Sequence, residues 1–210
     1  MDSRQAGEPE AIVGKGPTDS ILDRIRSATA EQHRRIEQRS PLVRSDLTIA
    51  TLSRVLQRFR SFLEAWEPAA SPYFTGALEP VFAQRRKLEW LDRDLDALGL
   101  SAREIQNREP PVRLPRLECL PQALGSMYVL EGSTLGGRHV ARHIERTLGL
   151  TAGVGYSYFL SYGHDVAPMW KEFCQILVAH SDPVSDPLMT ASAVETFDRL
   201  GDWLDGARHA

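Results

Sequence analysis

Apolar residues recur at helical spacing along most of the chain. Leu22, Ile25, Thr29 and Ile36 share a stripe that predicts a first helix. Asp19 or Thr18 caps its start, and it runs to about Gln38, where Ser40-Pro41 stops it. Leu52, Val55, Leu56, Phe59, Phe62 and Leu63 predict a second helix within Leu47–Trp66, capped by Asp46 or Thr48. Pro72 opens a short third helix, and Arg86–Leu98 form a fourth that ends at Gly99. The proline-rich stretch Glu109–Pro121 is a rigid, extended link packed on the surface. Pro121 then starts a long helix that reaches Leu148 and ends at Gly149. An aromatic, glycine-rich irregular segment follows, then helices over Met169–His180 and from Asp186 to about Ala207. No strand-like alternation and no internal repeat is present, so the expectation is an all-α, single-domain bundle of roughly seven to nine helices.

Composition adds bounds. With 210 residues, 42% hydrophobic and 25% charged, the chain suits one domain with a sizeable core, expected over residues 18–210. Residues 1–17 read as a disordered N-terminal tail with no apolar signal region. A net charge of −3 gives no broad case for nucleic acid. Arg34-Arg35 and Arg85-Arg86-Lys87 read as solvated helix faces. Cys119 and Cys174 make neither a disulfide framework nor a zinc signature. No apolar run is long enough to span a bilayer, so a cytoplasmic protein with no membrane partner is expected.

Two local patterns carry candidate chemistry. In the long helix, residues Tyr128–Gly137 read YVLEGSTLGG. Counted from Gly125 at 100° per residue, Gly132 and Gly136 fall about 20° to either side, so three glycines share a stripe. Each costs roughly 1 kcal/mol against alanine in a helix interior. The gain that offsets this is a local bend or close main-chain approach, by another helix or by a flat ligand.

The second pattern is His33, about 20° from Leu22 on the inward stripe of the first helix. Thr29 and Glu37 bracket it at i−4 and i+4, and a carboxylate one turn away suits an imidazole whose other nitrogen binds a metal. A neutral imidazole serves iron, zinc or copper, so the residue alone does not choose the metal, and a satisfied core histidine has the same pattern.

His139 and His143 also stand at i and i+4, among arginines, and read as solvated surface. A diiron centre would draw on Glu37 and Glu131, but no Glu-x-x-His motif accompanies them.

Taken together, these segments resemble a known family. ATAEQHRRIE (Ala28–Glu37) resembles the proximal-histidine helix of heme oxygenases. YVLEGSTLGG resembles the distal helix of the bacterial, biliverdin-producing branch associated with bacterial phytochromes. Gly153–Phe173, an aromatic-Tyr-Gly segment followed by Met169-Trp170, looks like the same branch.

The resemblance implies a heme-oxygenase-like bundle with heme, both cofactor and substrate, between the first helix and the glycine-bearing one. It makes His33 the iron ligand and Thr29 and Glu37 its neighbours. Arg26 takes the place of a basic partner to a heme propionate, and Tyr128 sits near the pocket. Gly132, Ser133, Gly136 and Gly137 become the distal segment, with Gly132, Ser133 and Gly136 nearest the chemistry. The implied reaction takes heme and O2 to biliverdin, carbon monoxide and ferrous iron. No flavin or nicotinamide fingerprint is present, so electrons come from a ferredoxin or reductase, and a bacteriophytochrome is the expected bilin acceptor. A heme carrier or sensor without turnover is the rival reading.

Overall fold

The computed structural model describes residues 20–100 and 111–206. Among these residues the regular structure is helical throughout. Helix α1 spans Ile21–Arg39; its cap is Ser20, whose hydroxyl accepts from the Asp23 N–H (3.2 Å). The expected caps Thr18 and Asp19 lie outside the described residues. Helix α2 spans Ile49–Ala70, capped by Thr48. It runs four residues beyond Trp66 and carries Pro68 in its last turn.

The helix expected at Pro72 is instead two single 3-10 turns, Ser71–Tyr73 and Gly76–Leu78, leading into the short α3, Glu79–Ala83. Helix α4 covers Leu88–Ala97. It begins two residues later than expected because Arg86 and the Lys87 N–H are drawn to Glu67.

The link before the long helix carries no helix over residues 111–119. The Tyr73 hydroxyl donates to the Leu117 carbonyl (2.8 Å), and the Arg116 N–H donates to Glu195 (3.0 Å). Helix α5, Leu120–Leu148, is the longest. Its C-cap Gly149 lies in the left-handed region (φ 64°), which a side chain rarely adopts. The aromatic segment forms 3-10 turns at Ser157–Leu160 and Gly163–Asp165. Helix α6 spans Val166–Ala179 and α7 spans Ser185–Asp205. No helix among the described residues is long and apolar enough to cross a membrane.

The core centres on α7. Its Met189, Ala193, Phe197 and Leu200 are buried against α1, α2 and α5. A polar joint ties three helices inside that core. The Trp66 indole N–H donates to Ser126 Oγ (2.8 Å), which lies 2.8 Å from the buried Thr196 hydroxyl. Arg24–Asp186, Arg35–Asp198 and Arg39–Asp205 pair α1 with α7 in the same order along both helices, so the two run parallel.

Helices α1 and α5 do not pack broadly on one another. Each lies against α7 on one side and touches α6 on the other, so the four make a ring in which α1 and α5 are diagonal.

Candidate functional site

The ring of helices places the two sequence patterns on diagonal members. On α1, Ile21, Ile25 and Thr29 are buried, and His33 continues their stripe one turn further. There the cover ends: the His33 side chain is 57% exposed, although its sequence stripe points inward. Its ring meets Phe197 of α7 edge-on (5.9 Å between centroids). Nδ1 faces a Glu37 carboxylate oxygen at 3.5 Å, too long for a good hydrogen bond. Nε2 makes no hydrogen bond among the described residues. An imidazole whose Nδ1 faces an acid and whose Nε2 is unused is a candidate metal ligand.

The Thr29 hydroxyl donates to the Ile25 carbonyl one turn back (2.8 Å), so this side chain serves α1 itself. Arg26 is exposed and pairs with Asp23 (2.6 Å). Its charge is also felt by Tyr128 on α5, whose phenol is pushed above its ordinary value mainly by burial. Cys174 of α6 raises the same phenol further.

The four glycines of α5 divide their duties. A methyl at Gly125 would overlap the Met189 carbonyl of α7, and one at Gly137 would overlap the Phe159 carbonyl. Both are close main-chain packing contacts, and Gly137 is turned toward the aromatic segment. A methyl at Gly132 would meet only the Trp170 indole, at 3.6 Å. Gly136 has nothing within 4 Å of that position and is exposed. Bare main chain facing open space is therefore found at Gly136, and at Gly132 beneath an indole. Trp170 also packs against Tyr128 (5.3 Å).

Behind this face lies a cluster that the sequence reading assigned to solvent. Arg85 and Lys87, expected on a solvated surface, are buried. They converge on buried Glu131, the residue before Gly132. The Lys87 ammonium pairs with one Glu131 oxygen, and the Arg85 guanidinium lies 3.3 Å from the other. Arg85 also reaches Glu172 of α6 (2.8 Å). The Tyr162 hydroxyl donates to Glu131 (2.9 Å), from a residue held in the left-handed region at φ 62°. Burial, then the Glu131 charge, pushes the Tyr162 phenol far above its ordinary value. No spacing rule announces this cluster; the one available signal was a glutamate about 120° from the glycine stripe.

Ser133 is exposed and its hydroxyl donates to the Leu130 carbonyl (2.8 Å); burial pushes the Tyr158 phenol far above its ordinary value, and Ser133 opposes that rise. Tyr158 is held from below by Asp94, whose carboxylate accepts from the N–H groups of Ser157 (2.7 Å) and Tyr158 (2.8 Å).

The His143 Nε2–H donates to the Arg44 carbonyl (2.9 Å), which ties α5 to the turn after α1; His139 is exposed. No cluster of three or more His, Cys, Asp or Glu side chains suited to a metal occurs among the described residues. A groove of about 710 Å³ lies elsewhere, bordered by α2, α3 and the start of α4, and includes neither His33 nor the glycines.

No family model and no curated protein matches this chain. Solved structures do. A heme oxygenase from Leptospira interrogans aligns over 90% of this chain and 100% of its own, with a TM-score of 0.70 at 17% identity. A domain of unknown function with a heme oxygenase-like fold, from Shewanella denitrificans, aligns over 92% and 94% (TM-score 0.69, 14% identity). A TenA homologue from P. horikoshii OT3 aligns over 91% and 99% (TM-score 0.66, 13% identity). The fold is heme-oxygenase-like, and proteins of different function share it.

Proposed function

We propose that this chain is a heme oxygenase, which cleaves heme to biliverdin, carbon monoxide and ferrous iron with O2 and external electrons. The observation that carries this reading is the pairing of two features on diagonal helices. One is an exposed imidazole with an unused nitrogen, at His33. The other is side-chain-free main chain with open space before it, at Gly136. These residues fit a flat macrocycle with a coordinating metal at its centre. His33 would hold the iron, with Glu37 steering its Nδ1. Tyr128 and Gly136 would line the ring, and Arg26 would exchange Asp23 for a propionate. Bound heme supplies the oxygen-activating iron and is itself what is oxidised.

The chain's own groups suit that outcome. A neutral imidazole donates less electron density than a thiolate and so promotes O–O cleavage less. The carboxylate nearest the distal glycines, Glu131, is turned into the core and held by Lys87, Arg85 and Tyr162. The exposed side of this stretch therefore offers main chain at Gly136 and the Ser133 hydroxyl, with the Glu131 carboxylate withheld from it. The Ser133 hydroxyl would hold a proton-bearing water there. Electrons come from a separate ferredoxin or reductase, and a bacterial phytochrome is the proposed recipient of the bilin in the cytoplasm.

Hemin titration tests the reading. Wild-type protein should give a Soret band that His33→Ala shifts or abolishes, with affinity weakened at least about tenfold. Ascorbate in air should then turn the wild-type complex to a biliverdin spectrum. A stable complex without bilin favours a heme carrier or sensor, a reading the breadth of function on this fold supports. Absence of hemin binding would overturn both.

A further inference from the structure

We propose that Trp170 is the wall that sets the in-plane orientation of the macrocycle, and that the ring meets main chain at Gly136 and not at Gly132. This rests on the heme reading above. Helical spacing makes the two glycines equivalent, one turn apart on one stripe. Their surroundings are not equivalent. The six-membered ring of Trp170 places carbons 3.6 and 3.7 Å from the position a Gly132 Cβ would take, which is ordinary van der Waals contact. The same position at Gly136 is open.

The indole is seated. Tyr128 packs on it at 5.3 Å, Phe173 lies 6.3 Å away, and Trp170 itself is half-buried. It thus covers the Gly132 face at van der Waals distance, with Tyr128 packed against it. A macrocycle laid against α5 reaches bare backbone at Gly136, and its edge toward the start of α5 runs into the indole. Heme carries methyl, vinyl and propionate groups in an uneven order round its rim. A wall at one point on that rim accepts one rotation and crowds others, which is discrimination by shape. The bridge presented for cleavage follows from the rotation accepted.

Two sets of variants test this. In the ferric, cyanide-bound heme complex, hyperfine-shifted heme-methyl proton resonances report in-plane orientation without turnover. The wild type and Trp170→Phe should show one dominant set, and Trp170→Ala at least two. Chromatography of the bilins formed with ascorbate should then show a second isomer from Trp170→Ala at about a tenth of product or more.

Independently, hemin titration should leave Gly132→Ala within about threefold of wild type, because its methyl meets only the indole at contact distance. Gly136→Ala should weaken binding about tenfold, because its methyl intrudes where the ring lies. One unchanged methyl set and one bilin isomer in folded Trp170→Ala would overturn the wall. Gly132→Ala weakening hemin as much as Gly136→Ala would overturn the placement at Gly136. If Trp170→Ala does not fold, the glycine pair decides alone. A wild type that binds no hemin defeats the heme reading itself and this inference with it; normal binding with unmoved variants defeats only the inference.

Discussion

Asp94 shows how much one buried side chain organises here. It is fully buried, and its two oxygens take the N–H groups of Ser157 and Tyr158, fixing the turn that carries Tyr158. Burial raises its carboxyl above the ordinary value of 3.8, and the hydrogen bonds from Tyr158 and Ser157 only partly oppose that. A carboxyl with a raised folded-state pKa gives stability that is full below its unfolded pKa and is lost as pH rises through the folded one. Asp94→Asn removes this titration but leaves one backbone N–H facing an amide, at a cost of about 1–3 kcal/mol. The variant's deficit against wild type should therefore be largest near about pH 4 and shrink toward about pH 8, read by urea unfolding. A deficit that grows with pH would contradict the assignment.

At the scale of an element, α5 joins four glycines with different neighbours. Gly125→Ala and Gly137→Ala each drive a methyl into a neighbouring carbonyl and should destabilise the ligand-free protein by about 1–3 kcal/mol or more. Gly136→Ala meets nothing and should stabilise it by up to about 1 kcal/mol through helix propensity. Thermal unfolding of the three variants ranks them; destabilisation by Gly136→Ala equal to the others would refute the division. The limits of α5 were legible in the sequence because Pro121 and Gly149 are local signals. The division among its glycines was not, because a helical wheel gives direction and is silent on what stands there. The same holds for His33: its stripe was readable, yet in the fold its ring meets Phe197 of α7 edge-on and its side chain stays 57% exposed.

For the molecule as a whole, the all-α architecture, the helix order and the two candidate segments followed from periodicity and caps. The start of α4 and the character of Arg85–Lys87 did not. A basic triplet between helices reads as surface unless its partners are known, and those partners, Glu131 and Glu172, lie 44 and 87 residues away from Lys87 and Arg85. Non-local charge pairing of this kind leaves no mark in local spacing.

The buried ion cluster also divides α5 mechanically. Up to Glu131 the helix is bolted through two cations and a tyrosine to the body of the protein. From Ser133 onward it is held by the main-chain approach at Gly137, by buried Ala141 and Ile144, and by surface ties from Arg138 to Gly163 and from His143 to Arg44. Breathing of the long helix should therefore pivot just past the bolt. Amide deuteration under native conditions should advance through residues 133–148 well before it reaches 123–131, and Glu131→Gln should let the front follow it inward. Equal protection along both halves would mean that the bolt fastens nothing.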